Sequence, residues 1–381
     1  MSKVLLVDTN RASIPTYRAL LAFGHEVWVA GSKSSEPLAK MCPKFIQADY
    51  SNSEVLEKIV KEQKFNFIVP GCTDVSYNVC ALINHGQFPG IDTVETTEKI
   101  NNKQLFRAAA EAIGLPVPRT LHGNEKNLPE RVIVKPIDSF SGRGITILEK
   151  PTTHSLEKAL EEAKKTSPSG TCILEEFVGG QLFSHSAFIQ GGEIIADFFV
   201  QEDCVINPFA VDTSRVEWSP DPGLVARIQN DISKMARAFG LVDGLLHTQF
   251  ISCGEKYWII ECTRRCPGDL YSVLIEKSDG YPYAFNYAAP FVGVCAQKKK
   301  PPLGNFIIRH TAAPRRSTPY LGIQFRQPVE LSLFVPLVST GEILEVGIQG
   351  RAALMFLACK SKTEQDCIYA KLLEGTLYTF L

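Results

Sequence analysis

The chain has 381 residues, 45% of them hydrophobic and 21% charged, with a formal net charge of −1. That length exceeds one ordinary core and calls for two or three packed units, and the composition is that of a globular protein rather than a disordered or fibrous one. Near-neutral charge leaves no broad basic field for nucleic acid or an anionic membrane surface, and no apolar stretch reaches the about 18 residues that a membrane helix needs.

The opening Met-Ser-Lys-Val-Leu-Leu-Val-Asp reads directly as a strand, so no signal peptide is expected. The eleven cysteines are scattered through apolar segments, so reduced thiols in a cytoplasmic protein are expected. Cys262 and Cys266 lack the second close pair that a zinc site requires. Over the first hundred residues, strands at 3–7, 26–30 and 65–69 alternate with helices at 14–23 and 53–63, the latter opened by a serine cap. This pattern gives a doubly wound parallel α/β domain. The turn after the first strand, Asp8-Thr9-Asn10-Arg11, is not a dinucleotide fingerprint. Pro70-Gly71-Cys72-Thr73-Asp74 follows a strand, where such sheets bind ligands; an ordinary strand-to-helix turn explains it equally well.

A second unit starts near Thr96 with an amphipathic helix over 97–113, closed by Gly114 and Pro116. Strands follow at 132–135, 145–148, 172–178, 186–189, 245–251 and 257–262, with helices at 155–165 and 223–239. Residues 293–304 form a junction in which Lys298-Lys299-Lys300 reads as a solvated linker. Beyond it the chain is a small β-rich unit with one helix at 364–373.

The segment "VIVKPIDSFSGRGI" places Lys135 on a strand before a loop holding Ser139, Ser141, Gly142, Arg143 and Gly144. A P-loop would run from glycines into Lys-Ser/Thr and a helix; here Ile145-Thr146-Ile147-Leu148 is a strand. Kinases carry the lysine after the glycine loop; here it comes first. Small residues let backbone amides approach phosphate oxygens, although taken alone the loop reads as a plain hairpin. Two further segments accompany it. "ILEEFVGG" offers an apolar wall, carboxylates and backbone donors suited to adenine, and "IIECTRRCPGD" sets Glu261 at a strand end before Arg264 and Arg265. Magnesium takes hard oxygen ligands, and a moving phosphoryl group needs a cation within reach.

In this order the segments resemble the ATP-grasp superfamily over about residues 96–290, and in particular its carboxylate–amine ligases of the amino acid ligase and carbamoyl-phosphate synthetase kind. The resemblance implies an α/β and α+β fold: a domain at 1–95, a two-lobed ATP-grasp domain at 96–295 with a lid lobe at about 131–180, and a C-terminal unit at 296–381. It implies phosphorylation of a small carboxylate, then capture of the acyl phosphate by an amine of an amino acid or similar metabolite, with release of ADP and phosphate. Lys103 and Lys135 are similar to the phosphate lysines, 139–144 to the lid, and Glu175, Glu176, Phe177 and Val178 to the adenine hinge. Glu261 and Gln249 are placed at magnesium (manganese being the alternative ion), and Arg265, with Lys135, at the transferring phosphate. Asp269 and Arg309 are candidates for the substrate's ammonium and carboxylate, Asp269 being equally a turn-capping residue. A homodimer is a further implication.

Three positions depart from the pattern. Gln249 stands where the strand carries a metal carboxylate, Thr263 where the signature has asparagine, and Leu182 where a ribose-binding glutamate is common. One formal carboxylate then faces the metal, so weakened metal binding is expected. A nucleotide-binding regulatory protein without turnover, or a bicarbonate-using carboxylase or carbamoyl-phosphate-type enzyme, are the alternative functions.

Overall fold

The computed structural model describes residues 1–122, 128–139 and 142–381. Four parallel strands in the order Phe45–Gln47, Glu26–Gly31, Lys3–Val7 and Phe67–Pro70 form the N-terminal sheet. Their near-continuous apolar runs reflect burial on both faces; Val4, Leu5, Leu6 and Val7 are all inaccessible. Strand order reverses beside Lys3–Val7, since the second and third strands lie on one side and Phe67–Pro70 on the other. The carboxyl ends of those two neighbours therefore flank a switch point, where an open α/β sheet leaves a crevice. Asp8 ties the two loops there together. It accepts from the Ser13 hydroxyl at 2.6 Å and from the Cys72 amide at 3.1 Å.

Helix Ser53–Gln63 forms where the sequence places it, but its cap is Asn52, whose side chain accepts from the Glu54 and Val55 amides. The single helix expected over 97–113 is two, Val94–Asn101 and Lys103–Ala112. Asn102 breaks it, because its side chain takes the amides of Gln104 and Leu105 at 3.0 and 3.1 Å in place of continuing the backbone ladder. The break makes Lys103 the first residue of the second helix.

Strands Thr146–Glu149, Arg131–Pro136 and Cys172–Glu176 form a separate three-stranded sheet covered by helix Thr153–Thr166. Val132, Val134, Leu156, Ala159, Ala163 and Leu174 give this lobe its own core. An eight-stranded antiparallel sheet lies opposite, in the order Lys256–Thr263, Gly244–Cys253, Gln181–Gln190, Glu193–Asp203, Thr213–Val216, Phe306–Ala312, Ala353–Cys359 and Glu330–Pro336. Its last three strands come from the C-terminal segment, so that segment extends the central sheet while keeping a small core of its own around Ile308, Met355, Ile368 and Leu372. Glu193–Asp203 lies outside the strands expected from sequence. It forms a hairpin with Gln181–Gln190 through Gly191-Gly192, both at positive φ (59° and 78°), the two-residue turn that glycines favour.

The N-terminal domain is fastened to the central sheet by a buried ion pair. Arg264 donates to Asp92 at 2.7 Å and to the carbonyls of Leu245 and Val242, both at 2.6 Å, while Tyr77 donates to Asp92 at 2.8 Å. The Arg264 side chain is 2% exposed and that of Asp92 is fully buried. Removing one partner of such a pair leaves an uncompensated charge. Asp92→Ala should therefore cost about 3–5 kcal/mol, read as a lowered urea midpoint for the whole chain.

Candidate active site

A cavity of about 970 Å³ opens between the lid lobe, the central sheet and the switch-point loop. Lys103, Lys135, Ser139 and Gly142 line it from one side, and Gln249, Glu261 and Arg265 from the other. Glu176, Phe177 and Val178 form a stretch of wall with the apolar Ile133, Ile147 and Ile251. The amides of Glu176 and Phe177 are committed to the Arg119 and Arg131 carbonyls, at 3.0 and 3.1 Å. Among the described residues the Val178 amide has no backbone acceptor, which leaves a donor on this stretch of the cavity wall.

Lys103 reaches the base of the loop, with Nζ donating to the Ser139 carbonyl at 3.1 Å. Lys135 Nζ donates to Glu175 Oε2 at 2.7 Å, and Arg107 holds the other Glu175 oxygen and the Ile260 carbonyl. Glu175 is fully buried and does not line the cavity. Its side chain stands behind this wall as the shared counter-ion of two cations. Burial would raise the Glu175 carboxyl, but Lys135 and Arg107 outweigh it and hold it below the usual range. Burial, opposed by Glu175, lowers the Lys135 ammonium.

In the glycine loop, Ser141 lies outside the described residues. Gly142 (φ 72°) lies so close to Phe209, from the opposite lobe, that a Cβ there would collide with it. Arg143 and Gly144 do not line the cavity; the Arg143 carbonyl accepts from the Ser139 hydroxyl at 3.2 Å.

Across the cavity, Arg265 is gripped by Asp74 of the N-terminal domain through two parallel bonds, Nε–Oδ1 at 2.9 Å and Nη2–Oδ2 at 3.0 Å. The Thr263 hydroxyl also donates to Asp74, at 3.1 Å. Burial pushes the Asp74 carboxyl up, but Arg265 overrides it and holds the group ionised, below the usual range. The 70–74 segment thus delivers a site carboxylate from the switch point. Arg264, adjacent in sequence, points away into the Asp92 pair.

Glu261 is exposed to the cavity, and among the described residues its carboxylate has no hydrogen bond or ion pair. Gln249 donates from Nε2 to Glu202 Oε2 at 2.7 Å. Glu202 is a site residue that the sequence reading missed. It is 4% exposed and lines the same cavity. Burial, and secondarily Glu261, push its carboxyl up to about 7 against the hydrogen bonds from Ser184 and Gln249 and the field of Arg309. The available signal was the Gly191-Gly192 turn after a strand, which announces a returning strand; Glu202 lies on that strand.

At the far end, Asp269 accepts from Arg309 and Arg351 at 3.1 and 3.2 Å. Arg11, from the N-terminal switch-point loop, is close enough that, after burial, Arg351 is the main influence lowering its guanidinium. His310 is buried and satisfied, with Nδ1 on the Thr213 hydroxyl at 2.8 Å and Nε2 on the Tyr378 hydroxyl at 2.9 Å. Burial, then Arg309, depresses it to about 3, so it stays neutral.

The oxygens of Glu261, Gln249 and Glu202 are hard donors of the kind magnesium takes beside phosphate. The described residues contain no group of three or more His, Cys, Asp or Glu able to hold a metal by themselves. A metal here would complete its shell with phosphate and water.

No protein-family model matches the chain. Among curated proteins it is 24% identical over 188 residues to the formate-dependent phosphoribosylglycinamide formyltransferases of Pasteurella multocida and Hydrogenovibrio crunogenus, a match spanning 46% of this chain and 47% of each relative. The chain thus spans about half the length of the curated relatives it matches. Structural similarity extends further. The phosphoribosylglycinamide synthetase of Anaerococcus prevotii superimposes with a TM-score of 0.78 at 16% identity, covering 100% of this chain and 99% of that one. The L-amino acid ligase of Bacillus licheniformis gives 0.78 at 15% identity with the same coverage. The biotin carboxylase domain of Hydrogenobacter thermophilus 2-oxoglutarate carboxylase, in complex with MgADP and bicarbonate, gives 0.76 at 16%, covering 100% and 90%. The mixed α/β and α+β fold expected from the sequence is shared with these three structures over the whole chain.

The buried Lys135–Glu175–Arg107 bridge generates a differential test. Glu175→Gln leaves two buried cations without a counter-ion and should cost about 3–5 kcal/mol. Lys135→Met leaves the Glu175–Arg107 pair intact and should cost less than half as much. Urea unfolding of the two variants measures both.

Proposed function

We propose that the chain is an ATP-dependent ligase that phosphorylates a small carboxylate and joins the resulting acyl phosphate to an amine, probed first with amino acids, releasing ADP and phosphate. One observation carries the reading: Lys135 of the lid lobe and Glu261 of the central sheet line a single cavity. Adenine lies against Phe177 and Val178, its edge meeting the free Val178 amide. The triphosphate runs between Lys103 and Lys135 on one side and Glu261 and Gln249 on the other. Glu261 and the Gln249 carbonyl would hold magnesium, which would supply charge neutralisation at the phosphate oxygens.

Arg265 faces the phosphoryl group in flight. Its fork is pre-set by Asp74 and needs no reorganisation as charge develops, which is what makes an electrostatic contribution large. Arg309 and Arg351 converge on Asp269, with Arg11 beside them. Guanidinium forks gathered in this half-buried space suit the anionic end of the carboxylate substrate. Asp269, spent on Arg309 and Arg351, orients those arginines and leaves no charge for a substrate ammonium. The acyl phosphate passes its acyl carbon to the amine nitrogen, phosphate leaves with the bonding electrons, and the amine proton goes to solvent or a cavity base. No covalent enzyme intermediate is needed.

A screen of phosphate release over pooled amino acids and small carboxylic acids with magnesium and ATP, followed by mass analysis of products, tests the reading. A coupled product with ADP is expected; AMP and pyrophosphate, or release dependent on bicarbonate alone, would replace it with another reaction. Lys135→Ala should abolish nucleotide-dependent thermal stabilisation. Arg265→Ala should lower turnover by about 10²–10³-fold while leaving nucleotide binding measurable by calorimetry.

A further inference from the structure

The geometry points to Glu202 as the second acidic ligand of the metal site, a carboxylate supplied from strand Glu193–Asp203 to the position beside Gln249. This inference rests on the nucleotide reading above and deepens it. It begins from an inventory of charge. The cavity's cations are largely spoken for: Lys135 by Glu175 at 2.7 Å, Arg265 by Asp74 at 2.9 Å, and Arg309 by Asp269 at 3.1 Å. Four cavity carboxylates have no ion pair among the described residues; Asp203 and Asp212 are taken up by hydrogen bonds from the Tyr369 hydroxyl and from the Val205 and Ile206 amides, which leaves Glu261 and Glu202, each within the other's electrostatic reach. Two such groups in one half-closed cavity repel each other, and a divalent cation between them removes the repulsion.

The register places Glu202 correctly for this. Gln249 pairs with Ser184 on the intervening strand and Leu182 of that strand pairs with Glu202. Leu182 and Ser184 are two residues apart and so share a face, which puts the side chains of Gln249 and Glu202 on one face across the intervening strand. The 2.7 Å bond between them follows. That bond uses the Gln249 amide nitrogen and leaves its carbonyl oxygen free. The result is three hard oxygen donors, Glu261, Gln249 and Glu202, bordering one space, two of them carboxyl groups. The site thus keeps the acidity that a glutamine on strand Gly244–Cys253 appeared to remove; the second carboxylate has moved two strands along the sheet.

The test is binding of manganese in the presence of a non-hydrolysable ATP analogue, followed by the paramagnetic signal of free Mn²⁺, together with calorimetry of the analogue in chelator. Glu202→Gln should weaken Mn²⁺ by at least about tenfold while metal-free nucleotide binding stays within twofold. Glutamine at 202 preserves a hydrogen bond to Gln249, so a merely scaffolding role predicts no loss. Adding Gln249→Glu to Glu202→Gln should restore Mn²⁺ affinity, which a fold defect would not allow. If Glu202→Gln holds Mn²⁺ as the unaltered protein does, while Glu261→Gln loses it, the assignment of Glu202 is wrong and the nucleotide site stands. If the unaltered protein binds no nucleotide, the functional reading itself fails.

Discussion

A buried charge must find a partner, and this constraint shapes the molecule around its cavity. Glu175 neutralises Lys135 and Arg107 together, so the lid strand, the hinge strand and the helix starting at Lys103 meet at one carboxylate. Asp74 and Asp92, both of the N-terminal domain, each hold one of two consecutive arginines, Arg265 and Arg264. Adjacent residues on one strand end therefore take opposite tasks: Arg264 fastens two domains, and Arg265 is held open to the cavity by its partner. Asp269 organises Arg309 and Arg351 in the same manner. Lys135, Arg265 and Arg309 are each positioned by a carboxylate from a different stretch of chain, while Lys103 is held by the Ser139 carbonyl, which is how separate units come to share a single pocket.

The N-terminal sheet contributes more than support. Its switch point lies between strands Lys3–Val7 and Phe67–Pro70, and the loops leaving it bring Asp74 to Arg265 and Arg11 to the Arg351–Asp269 cluster. Fold topology and site electrostatics thus have one origin. The C-terminal segment acts likewise, by adding strands to the central sheet and so placing Arg309 beside Asp269.

Much of this was legible in the sequence, for identifiable reasons. Hydrophobic periodicity marks the N-terminal strands and the helix at 53–63 because both faces of that sheet are buried. Lys135, the glycine loop and Glu261 stood out because phosphate and metal chemistry restricts residue types. What escaped notice depends on tertiary contacts. The Asn102 break is a side chain competing with the backbone inside a helical pattern. The membership of Glu175 in a buried bridge, rather than in the adenine wall, follows from which face of its strand turns inward. Glu202 went unseen because its strand is interrupted by polar residues whose partners lie on other elements, Asp197 on His185 and Gln229, Gln201 on Arg215, and Glu202 on Gln249 two strands away. Strand Gly244–Cys253 taken alone offers no carboxylate beside Glu261, whereas the sheet brings Glu202 to within 2.7 Å of Gln249.

The central claim is that a nucleotide's phosphates lie between Lys103 and Lys135 on one side and the acidic strand end on the other. An acyl-phosphate derivative of ATP tests it most directly, because a lysine amine beside the terminal phosphate attacks the acyl carbon, expels the nucleotide and keeps the acyl tag as an amide. Peptide mass mapping should find the tag on Lys103 and Lys135, suppressed by excess ATP with magnesium. Tagging confined to surface lysines such as Lys58 or Lys150, or undiminished by ATP, would contradict the account.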